Sequence, residues 1–288
     1  MRRRTKIWLG VGAFILSGQA TASAAEWSQA ASTREPGVSD HAMPTADQLH
    51  TAFSNSFAQD SEGGEGGEGG EGGINLETVG SDAAEYAIAL QVIVAHYDAG
   101  FAAYAGGEKE AGAQMFAHGL SEIYTPMEDL FKKLGVTTLG EKLEAAVAIA
   151  AENKPPEEVS KHVEDVRQAL RDAARRGPQP TSQENMQAYL VGELIERAAA
   201  QYTIIQKDDT LEPYLDGLGF AIAARREAAP VLKSLQQTNK PAAAAIEKAL
   251  GLLERVYPGI KRPEKTAVPE SELLVAASRA RLAVAAYR

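Results

Sequence analysis

The sequence predicts an all-α protein, a helical bundle built from two related helical-hairpin halves with no sheet. Apolar residues recur at spacings of three and four from about residue 81 to the C-terminus, the period of a helix with one buried face. Alternation of period two never lasts long enough to make a strand. Alanine is abundant and aromatics make up only 6% of the chain, a composition suited to closely packed helices.

The N-terminus has the three parts of a secretory signal peptide. Arg2, Arg3, Arg4 and Lys6 form a basic head, Ile7–Leu16 is a short apolar run, and Ala20–Ala25 supplies small residues for cleavage. The reading assigns residues 1–25 to the signal and places the mature protein in the periplasm. No later segment reads as long and apolar enough to span a bilayer, and the absence of cysteine excludes disulfides and a lipidated cysteine. Residues 1–25 carry four basic groups and no acid, so removing them takes the net charge from −10 to −14. A chain that acidic is expected to bind neither nucleic acid nor anionic membrane surfaces.

Residues 26–80 read as a flexible leader. Within it Thr45 starts a short helix with Leu49, Phe53 and Phe57 on one stripe, followed by the Glu-Gly-Gly tract Glu62–Gly73. Two glycines in every three residues cannot hold a helix and the glutamates repel one another, which predicts a solvated linker.

The first half spans residues 81–177. Ser81 is placed to cap a helix to about Tyr104, with Tyr86, Leu90, Ile93, Tyr97, Phe101 and Tyr104 along one face. Gly106-Gly107 turns the chain into a second helix seamed by Phe116, Leu120, Ile123, Met127 and Leu130, which Pro126 should kink or restart near Thr125. Gly135 closes it, Thr138 and Glu141 read as a capping box for an alanine-rich helix, and Pro155-Pro156 opens the next. Gly177-Pro178-Gln179-Pro180 marks the boundary. In the second half, residues 178–288, Thr181 and Glu184 suggest another capping box for a helix to about Lys207. A long helix to Thr238, one starting at Pro241, and a last one bearing Leu273, Ala277, Ala280, Val284 and Tyr287 complete the chain.

One hairpin can carry chemistry. His118 and Glu122 lie four apart and share a helix face. His96, on the preceding helix, lies at nearly the same distance from the Gly106-Gly107 turn, so the antiparallel pair brings it level with His118. Two imidazoles and a carboxylate are a ligand set for a divalent transition metal, with Tyr97, Asp98 and Tyr124 as expected neighbours. The plainer alternative is an i,i+4 surface pair and a core-edge histidine. In the second half Glu193, Glu196, Glu212 and Asp216 flank the equivalent turn without a histidine, and Glu193 with Arg197 reads as an intrahelical ion pair.

The Glu-Gly-Gly tract, Leu90–Gly100 and Met115–Tyr124 resemble uncharacterised exported helical proteins in which a histidine on the first helix and a His-x-x-x-Glu-x-Tyr element on the second recur. Ala198–Phe220 is similar to the periplasmic helical region of high-affinity iron permeases, with Tyr214 and Asp216 in place. Pro213 and Leu215 depart from that pattern and displace Glu212 by one position, ~100° around a helix. The resemblance implies iron or another transition-metal ion as the bound species and an envelope transport protein as partner. The expected function is that of a non-enzymatic periplasmic metal-binding protein, accessory to metal uptake or tolerance, with His96, His118 and Glu122 as ligands. The alternative is an envelope structural or adaptor protein that docks another protein through its helical faces. A metal-dependent hydrolase is disfavoured, because no glutamate stands where a helix-borne zinc site needs a general base.

Overall fold

The computed structural model describes residues 74–265 and 268–288; the segments read as a signal, as a short helix and as the Glu-Gly-Gly linker lie outside them. The described residues form helices and no strand. In order these are α1 (Ala83–Ala105), α2 (Lys109–His118), a π-helical segment (Gly119–Tyr124), α3 (Thr125–Lys133), α4 (Leu139–Ala151) and α5 (Pro156–Ala174). There follow α6 (Gln183–Ile205), α7 (Glu212–Thr238), α8 (Lys240–Val256) and α9 (Glu270–Val284), the last ending in a short 3₁₀ turn, Ala285–Tyr287.

α1 is the central helix: α2, α5, α6, α7 and the π segment all pack on it. Contrary to the sequence expectation, it is long and apolar enough to cross a membrane by length and composition, but most of it is buried inside the bundle. A helix that is apolar on every side is satisfied by neighbours all round. On the other side of the molecule α6 and α7 pair closely, and α8 and α9 cover them.

The helix starts show how local signals compete. Asp82, not Ser81, caps α1, its carboxylate accepting from the amides of Ala84 and Glu85. Ser182, not Thr181, caps α6 through the Asn185 amide. Thr138 stands at the start of α4 with no side-chain cap, so that capping box does not form. The punctuation by glycine and proline is closer to the expectation. Gly107 and Gly135 take the left-handed conformations, φ 103° and 73°, that end helices cheaply only for glycine. Pro126 restarts the chain at α3, as its missing N–H requires. The preceding turn widens into the π segment, where the Leu120 carbonyl accepts both the Thr125 amide and, at 2.9 Å, its hydroxyl.

Buried tyrosines tie the layers together. From α1, Tyr86 donates to the Ala173 carbonyl at 3.1 Å, Tyr97 to Leu143 at 3.2 Å and Tyr104 to Lys154 at 2.7 Å. In the second half Tyr202 reaches Val268 and Tyr214 reaches Gly259, both at 2.6 Å, and Tyr257 reaches Ala198 at 2.9 Å. Each ring fills the core while its hydroxyl donates to a backbone carbonyl, at a helix end or in a loop for Tyr86, Tyr104, Tyr202 and Tyr214 and within a helix for Tyr97 and Tyr257. Burial pushes the Tyr86 and Tyr214 phenols up to about 12, so they stay neutral donors.

Small residues set the closest approaches of α1. A Cβ on Gly219 of α7 would fall inside contact distance of the Ala95 carbonyl oxygen and 3.1 Å from Ala99 Cβ. On the other flank Gly100 faces Gly112 of α2, where an added Cβ would lie 2.7 Å from the Tyr104 backbone nitrogen. His96 follows Ala95 in the chain and so lies at the Gly219 crossing.

Candidate functional site

His96 is buried, 3% exposed. Its Nδ1 lies 2.8 Å from the Val92 carbonyl oxygen one turn earlier. A carbonyl can only accept, so Nδ1 carries the proton and Nε2 is the nitrogen turned outward. Nε2 faces Asp216 Oδ1 of α7 at 3.5 Å, and Asp216 is itself 3% exposed. One turn away on the same face of α7, Glu212 Oε1 lies 3.0 Å from His118 Nδ1. The two imidazoles thus come from different helices of the first half and meet two acids spaced i,i+4 on a helix of the second.

Glu122 sits one turn beyond His118, within the π segment, with Oε2 shielded from solvent. His118 Nδ1, His96 Nε2 and both Asp216 oxygens are shielded as well. The Gly119 backbone runs directly against His96: a Cβ there would stand 3.3 Å from His96 Cβ. A Cβ at 119 would also stand 3.0 Å from the Tyr97 ring, so even alanine there would need the α1 side chains to give by a few tenths of an ångström. Among the described residues no three His, Cys, Asp or Glu side chains are gathered closely enough to hold an ion as they stand. Closing a shell around one ion would require rotamer changes, for which Glu212, with 37% of its side chain exposed, has room.

The expected neighbours turn elsewhere. Asp98 lies 200° around α1 from His96 by helix geometry and is held by Arg167 and Arg226. The Tyr97 ring stacks on Phe116 at 5.0 Å, and Tyr124 stacks on Phe131 at 5.4 Å. The acids that do approach the histidines are Glu212 and Asp216 of the second half, which the sequence reading leaves without a histidine partner, with Asp216 matching the permease-like pattern and Glu212 displaced from it. α7 begins at Glu212 and accommodates Pro213 in its first turn, where no amide partner is lost. Their i,i+4 spacing, the same as that of His118 and Glu122, was the available signal.

A second charged cluster joins α6 to α9. Glu193 pairs with Arg281, which also lies 3.6 Å from Glu196. The half-buried Arg197 guanidinium feels Glu193, Glu85 and Glu196 together, so the intrahelical pair is part of a larger network. Burial first, and then the negative charge of Glu193, push Glu196 up to about 7, against the pull of Arg281 and Arg197. The folded protein therefore binds a proton more tightly than the unfolded chain, and stability should fall as pH rises from about 4.5 to about 7. The full effect is roughly 3 kcal/mol. In Glu196→Gln that part of the pH dependence should vanish, and the variant should gain on the parent as pH rises through the window. Urea unfolding across pH 4.5–8 reads this; equal slopes for the two proteins would refute it.

No protein-family model, curated protein or solved structure shows significant similarity to this chain.

Proposed function

We propose that this is a non-catalytic metal-binding protein of the periplasm, accessory to the uptake or tolerance of iron or another transition metal. Its ion would be held by His96, His118 and Glu122, with Asp216 and Glu212 brought to them by α7. The observation that carries this reading is the His96–Asp216 pair. With Nδ1–H committed to the Val92 carbonyl, Nε2 is the nitrogen that faces a carboxylate oxygen, 3.5 Å away. An imidazole nitrogen and a carboxylate oxygen that approach each other in a buried place are a donor pair that suits a shared cation, a proton or a metal ion. A backbone carbonyl fixing the far nitrogen is also the usual way an imidazole ligand is oriented. The donor chemistry, imidazole nitrogen with carboxylate oxygen, suits Fe²⁺, Zn²⁺ or Co²⁺ better than Ca²⁺ or Mg²⁺.

Titration of the purified protein with Zn²⁺, Co²⁺ and, without oxygen, Fe²⁺ tests the proposal. Saturation near one ion per chain is expected. His96→Ala and His118→Ala should each weaken binding by about 10-fold or more. Glu122→Gln should weaken it less, because the amide oxygen still coordinates. Binding should fall on acidification as protons compete for the imidazoles. If both alanine variants bind like the parent, or only weak multi-ion binding occurs, the docking or adaptor reading replaces this one. Large exposed apolar side chains among the described residues include Leu76, Ile204 and Leu282, one in each of three separate segments.

A further inference from the structure

Four helices frame an apolar groove of about 880 Å³ on a different face of α1 from His96. Its floor is one continuous stripe of α1, Ala83, Ala87, Leu90 and Val94, at the three-and-four spacing by which a helix offers a face to another helix. α5 forms one wall, and α6 with α7 forms the other. α5 packs closely only on α1 and α4, so the two walls stand apart along the stripe. The charges at the rim are compensated among themselves. Arg167 pairs with Asp98 and Glu164, Arg171 with Glu164, Arg175 with Asp172, and Arg226 with Asp98 and Glu227. The groove therefore suits an occupant that is apolar on one face and nearly uncharged on the other.

The chain carries such a segment ahead of the described residues. In Thr45–Ala58, Leu49, Phe53 and Phe57 fall on one helical stripe, and the other positions are small or polar, with Asp47 the one acid and no lysine or arginine. Thr45 and Gln48 supply a capping box at its start. Fourteen residues are marginal as a helix in water, so the stripe needs a surface to lie on. By helix rise Leu49 to Phe57 spans about 12 Å and the floor from Ala83 to Val94 about 17 Å. The small side chains of Ala83, Ala87 and Ala174 leave room for the rings. Reach is sufficient as well. Ile74 packs against the core and stands nine residues before Ala83, at most about 32 Å away even at full extension. The twelve residues Glu62–Gly73 extend to about 40 Å. We propose that Thr45–Ala58 docks as a helix in this groove, with Leu49, Phe53 and Phe57 towards α1 and the Glu-Gly-Gly tract as its tether. Tethering holds the segment at an effective concentration on the order of millimolar, which closes the groove to weaker outside helices. The inference rests on no part of the metal-binding reading.

The chain has no cysteine, so two nitroxide labels can be placed without background. One goes on Gln59→Cys and the other on Asn185→Cys, exposed on α6 outside the groove. Electron–electron distance measurement on the purified chain should give one narrow distribution. Phe53→Ser with Phe57→Ser, which alters no residue of the bundle itself, should broaden it to that of a loose tether. Ala87→Trp, at a half-buried floor position, should do the same while circular dichroism stays unchanged. A synthetic peptide of Thr45–Ala58 should bind the double serine variant at least about 10-fold more tightly than the parent, whose own segment competes. A broad distribution in the parent, a narrow one that survives the serine substitutions, or equal peptide binding to both proteins would overturn the proposal. A narrow distance present only in a dimer, seen by light scattering, would overturn it too and assign the groove to a second copy.

Discussion

Gly219→Ala is expected to destabilise the protein by about 3 kcal/mol, the upper end for one inserted methyl in a packed interior. At most core positions a neighbouring side chain rotates away from an added methyl. Here the nearest atoms are the Ala95 carbonyl oxygen and carbon, with Ala99 Cβ at 3.1 Å, and backbone cannot rotate away. The two helices must part instead. Asp216 is one turn from Gly219 and faces His96, the residue after Ala95, so parting the helices also lengthens the His96–Asp216 approach of 3.5 Å. On the proposed metal-binding reading, the variant should therefore lose metal affinity as well as stability. Gly251→Ala is the control: nothing lies within 4 Å of a Cβ at that position of α8, and alanine is the better helix former. Denaturant unfolding of both variants decides the matter. Equal stability of Gly219→Ala and the parent would show that the α1–α7 contact is not close.

Asp98→Ala is the second large effect, expected to cost about 3 kcal/mol. The carboxylate is 3% exposed and serves two arginines. Removing it leaves two guanidiniums beside a space that held their shared counter-charge. The penalty stays below that of a wholly buried pair because the Arg226 side chain is 42% exposed and can turn to water. For the same reason Arg226→Met should cost only about 1 kcal/mol, since Arg167 still compensates Asp98. This asymmetry between the partners is the signature of one buried charge held by two half-exposed ones. Similar losses from both substitutions, measured by urea unfolding, would contradict it.

The chain's own residues determined the helical architecture, the turns and the proline restart. The three-and-four spacing of Tyr86, Leu90, Ile93 and Tyr97 needs no partner to be read, because a helix carries its hydrogen bonds within itself. Left-handed turns at Gly107 and Gly135 and the break before Pro126 are equally local, since they depend on the missing Cβ of glycine and the missing N–H of proline. The helix starts were less legible. Ser81 and Asp82, or Thr181 and Ser182, are adjacent residues of similar capping ability, and the path of the preceding chain chooses between them. The sequence reading gave α1 one apolar face, and only its neighbours show that it is the core helix, wrapped by α2, α5, α6 and α7.

The candidate site divides in the same way. Placing His96 level with His118 across the Gly106-Gly107 turn follows from helix rise and turn position, which are properties of sequence. That Asp216 and Glu212 meet those imidazoles follows from a crossing more than a hundred residues away in the chain, set by Gly219 against Ala95 and Ala99. Asp98 was assigned to the histidines by proximity in sequence, yet two residues along a helix is more than half a turn. Tertiary packing gave it to Arg167 and Arg226. Side-chain chemistry is written residue by residue, whereas which residues share a buried space depends on how closely two backbones can approach.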